Sequence, residues 1–311
     1  MNPPRDLLIR WRNLLRLIAV SGPLMLLAAG CSPPAGAPPK DSETGLSPGV
    51  PAHVSHGEHG GHGGHGVAGA QAPPSMLRIL TAPEQPAAGE TIGLSLEITD
   101  PAKTVVRRFE PLHEKLAHLI IVRDGLDEFA HLHPEVSEDG TLRTEHAFPK
   151  PGRYRLYVDY QPTGGVPSLA VGELTIAGEA PPAPTLVANT AAPIEEGGLR
   201  AKVEVDQGAA ATSIRFRITD ADDRPVSTLQ PYLGAMGHLV VIRAGSLDYV
   251  HAHPANEVKE APDGIVAFEA HLPSAGLYKA WGQFRHNDRI LTFPVVLEIA
   301  AGKEAAGGHP H

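Results

Sequence analysis

Residues 117–134 read AHLIIVRDGLDEFAHLHP, and residues 237–254 read GHLVVIRAGSLDYVHAHP. At a constant offset of 120, His118 aligns with His238, Arg123 with Arg243, His131 with His251 and His133 with His253, and a proline ends both stretches. Pro111 aligns with Pro231 at the same offset, and after a four-residue insertion Pro151-Gly152-Arg153-Tyr154 aligns with Ala275-Gly276-Leu277-Tyr278. Such self-similarity is the signature of a duplicated domain. Within each copy an apolar run, a polar turn and a second short apolar run spell out a β-hairpin. With the turn at Asp124–Asp127, the residue numbers of paired positions sum to 251, which sets His118 opposite His133 and leaves His131 two residues along the same strand. Side chains two apart share a face of a strand, so the three imidazoles are predicted to gather on one side, and His238, His251 and His253 repeat the pattern.

Outward from the hairpins, period-two alternation dominates. Ile92, Leu94, Leu96 and Ile98 in one copy, and Ile214, Phe216 and Ile218 in the other, put apolar side chains on one face with polar residues between them. Short strands separated by Gly, Pro or Asp turns, at about seven per 100 residues, predict an all-β protein of two tandem immunoglobulin-like β-sandwich domains. The expected boundaries are 76–178 and 184–301, with the Pro-rich Gly178–Pro184 segment between them. The Gly-x-Tyr sequences ending at Tyr154 and Tyr278 match the corner at which a tyrosine packs at the start of a late strand, so these residues are expected to serve packing.

The N-terminus reads as a targeting segment. Arg5, Arg10, Arg12 and Arg16 precede an apolar run from Leu17 to Gly30 that is too short for an ordinary spanning helix, so residues 1–30 are expected to be a signal peptide. The run ends in Leu27-Ala28-Ala29-Gly30-Cys31, which resembles the bacterial lipobox, with Ala28 where a branched aliphatic residue is usual. This resemblance implies lipidation of Cys31, the only cysteine, and attachment to the membrane through the acyl chains alone. Ser32 after it resembles sorting to the outer membrane, on the periplasmic side or at the cell surface.

Of 26 basic and 35 acidic residues, the leader removes four arginines and Asp6, leaving 22 and 34, a net charge of −12 with histidine neutral. Nucleic acid is therefore excluded as a natural partner. Residues 31–75 are rich in Pro, Gly, Ala and His and read as a disordered linker; residues 302–311 read as a flexible tail. A nucleophile elbow and a phosphate-binding loop are both missing, and with Cys31 committed to lipid there is no thiol for catalysis, so the sequence points away from an enzyme.

All 17 histidines lie beyond the leader. His53, His56, His59, His62 and His65 recur at every third position in a Gly-rich run, and His309 and His311 sit in the tail. Imidazoles on so permissive a backbone can converge on a zinc, nickel or copper ion, with affinity but little selectivity. The hairpin histidines are a firmer prospect: three nitrogens within ~5 to 8 Å suit a three-histidine zinc or copper site with an open fourth position. Against this stands a packing explanation, because Ile120, Val122 and Phe129 share their face and ring nitrogens can simply bond to backbone carbonyls. Met236, two before His238, is expected to fill core space, since the first copy has Leu116 there. His113, His146, His271 and His286 have no counterpart in the other copy and are expected at the surface.

The pattern His-Leu-(Ile/Val)-(Ile/Val)-(Val/Ile)-Arg, then His-x-His-Pro, then Gly-x-Tyr-(Arg/Lys), resembles a group of secreted bacterial sandwich proteins associated with metals, which commonly carry a lipobox or a His-rich segment. The resemblance spans residues 105–162 and 229–286 and implies an immunoglobulin-like or cupredoxin-like sandwich that handles copper or another heavy metal. The first copy, with Asp159 in the strand after Gly-x-Tyr, is nearer the pattern than the second, which has Gln283. The Met-and-His pattern of periplasmic copper chaperones is absent.

Together these features favour a lipid-anchored envelope protein that captures or delivers copper or zinc, with a metal transporter or oxidase as partner. A structural or adhesive tandem sandwich without metal is the alternative, and pH sensing by clustered imidazoles is a third reading.

Overall fold

The computed structural model of the protein describes residues 74–208, 210–255 and 260–301, with His251 and His253 described in their backbone alone. The leader, Cys31, the linker histidines from His53 to His65 and the tail histidines lie outside the described residues. No helix among the described residues is long and apolar enough to cross a membrane.

Every regular element among the described residues is a strand, as the alternation requires. The first lobe contains β1 (Ser75–Ala82), β2 (Thr91–Thr99), β3 (Phe109–Glu110), β4 (Ala117–Arg123), β5 (Phe129–Leu132), β6 (Glu135–Val136), β7 (Leu142–Ala147), β8 (Gly152–Pro162) and β9 (Ser168–Ile176). Strands β6-β7-β2-β1 form one layer and β9-β8-β4-β5 the other, joined by a short parallel pairing of β1 with β9, while β3 pairs with β8. The second lobe contains β10 (Ile194–Glu196), β11 (Leu199–Gln207), β12 (Thr212–Thr219), β13 (Leu229–Gln230), β14 (His238–Arg243), β15 (Tyr249–Pro254), β16 (Ile265–Ala270), β17 (Gly276–His286) and β18 (Arg289–Ile299). Its strands run β10-β11-β12-β16-β15-β14-β17, with β13 and β18 also pairing with β17. Both lobes are β-sandwiches.

The alternating residues close the two cores. Ile92, Leu94, Leu96 and Ile98 of β2 are all buried against Leu119, Ile121, Leu156 and Val158, and Ile214, Phe216 and Ile218 of β12 occupy the same place in the second lobe. Met236 is buried in that second core, as its gap-filling role predicts. Tyr154 donates its hydroxyl to the Lys150 carbonyl at 2.8 Å, and Tyr278 does the same to Ser274 at 2.8 Å, so both Gly-x-Tyr sequences form the expected corner.

The unbroken apolar runs of β4 and β14 have a different explanation: these strands are buried on both faces. Leu119 and Ile121 point into the first core and Leu239 and Val241 into the second. Their neighbours Ile120, Val122, Val240 and Ile242 meet in a third cluster with Leu126, Tyr157, Leu247 and Trp281, which joins lobe to lobe. Phe129 stacks on Trp281 with centroids 4.6 Å apart and planes at 12°, and the Tyr157 hydroxyl donates to the Leu247 carbonyl.

Candidate metal centre

The β4–β5 hairpin carries the site. Its ladder pairs Leu119 with Leu132 and Ile120 with His131, the register read from the turn. Arg123, buried at the hairpin end, donates from Nη1 to both carboxylate oxygens of Asp127 at 2.9 and 3.0 Å and from Nε to the Pro151 carbonyl at 3.1 Å, which fixes the turn. The register therefore brings His118, His131 and His133 together, with one ligand atom from each lying within 4.8 Å of the others. His118 is fully buried, while His131 and His133 are partly so.

The hydrogen bonds around the cluster constrain the tautomers. His118 donates from Nε2 to the Leu112 carbonyl at 2.8 Å, and His131 donates from Nδ1 to Gln283 Oε1 at 2.7 Å. The Gln283 amide is itself oriented by Nε2 donating to Thr292 Oγ1 at 3.2 Å. A neutral imidazole carries one proton, so the inner nitrogens, His118 Nδ1 and His131 Nε2, face each other at 3.1 Å as two acceptors. His133 Nε2 is buried with no hydrogen-bond partner among the described residues. Inverting either ring only moves the conflict outward, onto the Leu112 carbonyl or the Gln283 oxygen.

Burial disfavours the protonated forms of His131 and His133. Burial, reinforced by His118 and His133, pushes His131 down to about 3, although its bond to Gln283 opposes the shift. Burial, with His118 and Lys115, pushes His133 down to about 4. Three ring nitrogens converge, and two of the rings are held by acceptors on their far side, as metal-ligating histidines usually are. Around a zinc ion at about 2.0–2.1 Å from each nitrogen, tetrahedral ligands stand about 3.3 Å apart, a contraction of at most ~1.5 Å from the separations found here. His133 also lines an open groove with Leu80, Gly93, Arg143 and Glu145.

Residues from both lobes surround this set. The His238 ring lies 4.9 Å from that of His131 and is stacked on His118 at 5.8 Å and 11°. The His238 ring thus meets the first lobe's histidines, and its expected companions are described in backbone alone. His251 and His253 are placed by their backbone only: β14 pairs Val240 with His251, the counterpart of Ile120 with His131.

His113, expected at the surface, is partly buried, with its ring 6.0 Å from His118 and 6.2 Å from His238. It sits in the turn before β4 with φ 47°, where the second copy has Leu233 at φ 57°, so the repeat that flagged the other histidines is silent about it. Of the other unmatched histidines, His271 is exposed, whereas His146, packed on Phe148 at 4.7 Å, and His286 are partly buried. Gln283 and Asp159 also escaped assignment, since each differs between the copies. Asp159 is buried, and burial pushes its carboxyl up to about 7 against the opposing pull of His113.

A family model described as a domain of unknown function (DUF8832) matches residues 77–173 and 196–301, more than half of the sequence, with one stretch in each lobe. The chain belongs to this family. No curated protein matches it. Among solved structures, the DUF8832 chain is similar to the Escherichia coli adhesin FdeC at 18% identity, covering 72% of this chain and 64% of that one, with a TM-score of 0.23. It is also similar to invasin, a bacterial integrin-binding protein, at 10% identity, covering 74% and 40% with a TM-score of 0.20. Bovine butyrophilin matches at 9% identity, covering 74% and 96%, with a TM-score of 0.17. The chain spans less than two thirds of the length of FdeC and of invasin.

Proposed function

We propose that the protein binds zinc or copper through His118, His131 and His133, and that it captures or passes on the ion as an exported protein tethered by lipid on Cys31. The observation that carries the reading is the pair of acceptor nitrogens, His118 Nδ1 and His131 Nε2, 3.1 Å apart with their outer nitrogens already donating. A cation between them turns a repulsion into two bonds, and His133 Nε2 supplies the third. Without metal, the same groups are satisfied only if the Gln283 amide turns over, so that its Nε2 donates to His131 and Thr292 donates to its Oε1.

Imidazole donors suit zinc and copper, and an open fourth position suits release to another protein. The linker histidines, ten or more residues before β1, would raise the local concentration of the same ions.

Metal analysis of the protein isolated from its own cell envelope, followed by zinc and copper titration of a His131→Ala/His133→Ala variant, tests this. The reading expects bound metal in the parent and loss of its high-affinity site in the variant. A melting temperature that falls in His133→Ala under chelator, with no metal bound by the parent, makes the histidines structural and overturns it.

A further inference from the structure

We infer that His238, from the second lobe, is the fourth ligand of the ion that His118, His131 and His133 hold, so that a single ion bridges the two sandwiches. This rests on the metal reading above and completes its coordination.

The strands place His238 there. Side chains two apart share a face, and Val240 and Ile242 of β14 meet Ile120 and Val122 of β4 in the inter-lobe cluster. His238 and His118 each begin one of these rows, two residues before Val240 and Ile120, and their rings lie 5.8 Å apart with planes at 11°. The β14–β17 ladder sets His238 directly opposite Gln283, and opposite residues share a face. Gln283 accepts from His131 at 2.7 Å, so the imidazole of β14 and the orienting amide of β17 reach the first lobe side by side.

The spacing of the rings fits one ion. With each nitrogen about 2.0–2.1 Å from zinc and the ring centre ~1.1 Å further out, four tetrahedral imidazoles have centroids about 5.2 Å apart. The His118 ring lies 5.3 Å from that of His131 and 5.0 Å from that of His133, and His131 lies 4.8 Å from His133. His238 continues the series, 4.9 Å from His131 and 5.8 Å from His118. Rotation about its Cβ–Cγ bond, a broad torsion for imidazoles, aims a nitrogen at the ion with little movement of the ring centre. His113 stands wider, 6.0 Å from His118 and 6.2 Å from His238, and its charge acts on the Asp159 carboxyl, which makes it a neighbour of the site.

An ion held in this way couples the lobes. Lobes that part offer only three of the four ligands, so binding favours docking and docking favours binding by the same factor. The position that the hairpin leaves open is filled from within the chain, and an acceptor protein takes the ion by displacing a side chain rather than a water.

The test is zinc binding by the full-length chain with asparagine in place of His53, His56, His59, His62, His65, His309 and His311. Titration against a chromophoric chelator measures affinity, and X-ray absorption at the zinc edge counts the imidazoles. One ion per chain with four imidazoles is expected. His238→Ala should lose one imidazole and weaken zinc by more than the ~10–100-fold that loss of an outer-shell partner costs. His238→Gln, which keeps a polar side chain at the interface, should lose the same imidazole, and His113→Ala should lose none. Three imidazoles in the parent, or four remaining in His238→Ala, overturns the assignment of His238 and leaves the three-histidine site. Affinity that falls no further in His238→Ala than in Gln283→Ala makes His238 a positioning residue and overturns the bridge. No zinc bound by the parent overturns both this inference and the reading on which it rests.

Discussion

Replacing Trp281 with alanine should uncouple the two lobes and weaken the metal centre together. The indole is 4% exposed and fills the inter-lobe cluster among Ile120, Val122, Val240 and Ile242 while stacking on Phe129. Removing it deletes buried apolar surface and leaves a cavity that two separately folded sandwiches cannot easily collapse, at a cost of about 3–5 kcal/mol. The aromatic pair accounts for about 0.5–1.5 kcal/mol of that. Trp281 lies two residues before Gln283 on β17, so the same loss frees the amide that orients His131. Zinc affinity should fall by about 10–100-fold even though no ligand has changed. Urea unfolding under chelator, followed by circular dichroism, should show one transition in the parent and two in the variant. A destabilisation below about 1 kcal/mol, or zinc affinity equal to that of the parent, would refute the reasoning, because the lobes would then not depend on this contact.

Two other expectations concern pH and anchoring. His131 sits near 3 in the folded protein and at 6.5 unfolded, so the unfolded chain takes the proton first and stability declines as pH falls from about 6.5 towards 3. At pH 5 this residue alone should cost the metal-free protein about 2 kcal/mol relative to neutral pH, and urea midpoints of parent and His131→Leu compared at pH 7.5 and 5 measure it; equal pH dependence in the two would show an ordinary histidine. Expressed in a bacterial host fed labelled palmitate, the full chain should take up label and sediment with membranes. Cys31→Ser should do neither, and label retained in Cys31→Ser would remove the lipobox assignment.

The sequence by itself determined the strands, the duplication and the hairpin register. Each of these is written in near neighbours: alternation at period two in β2 and β12, and a turn at Asp124–Asp127 that leaves only one pairing for His118, His131 and His133. Only the tertiary structure decided that the even-numbered residues of β4 and β14 face each other rather than solvent. A run of apolar residues reads the same whether its second face is covered by its own lobe or by another. From that contact follow the features the repeat could not announce. Gln283 supplies the acceptor for His131, His238 stacks on His118, and His113 enters the cluster from a turn where the other copy has leucine. A repeat reports what two copies share, whereas an interface between them is made in part from residues at which they differ.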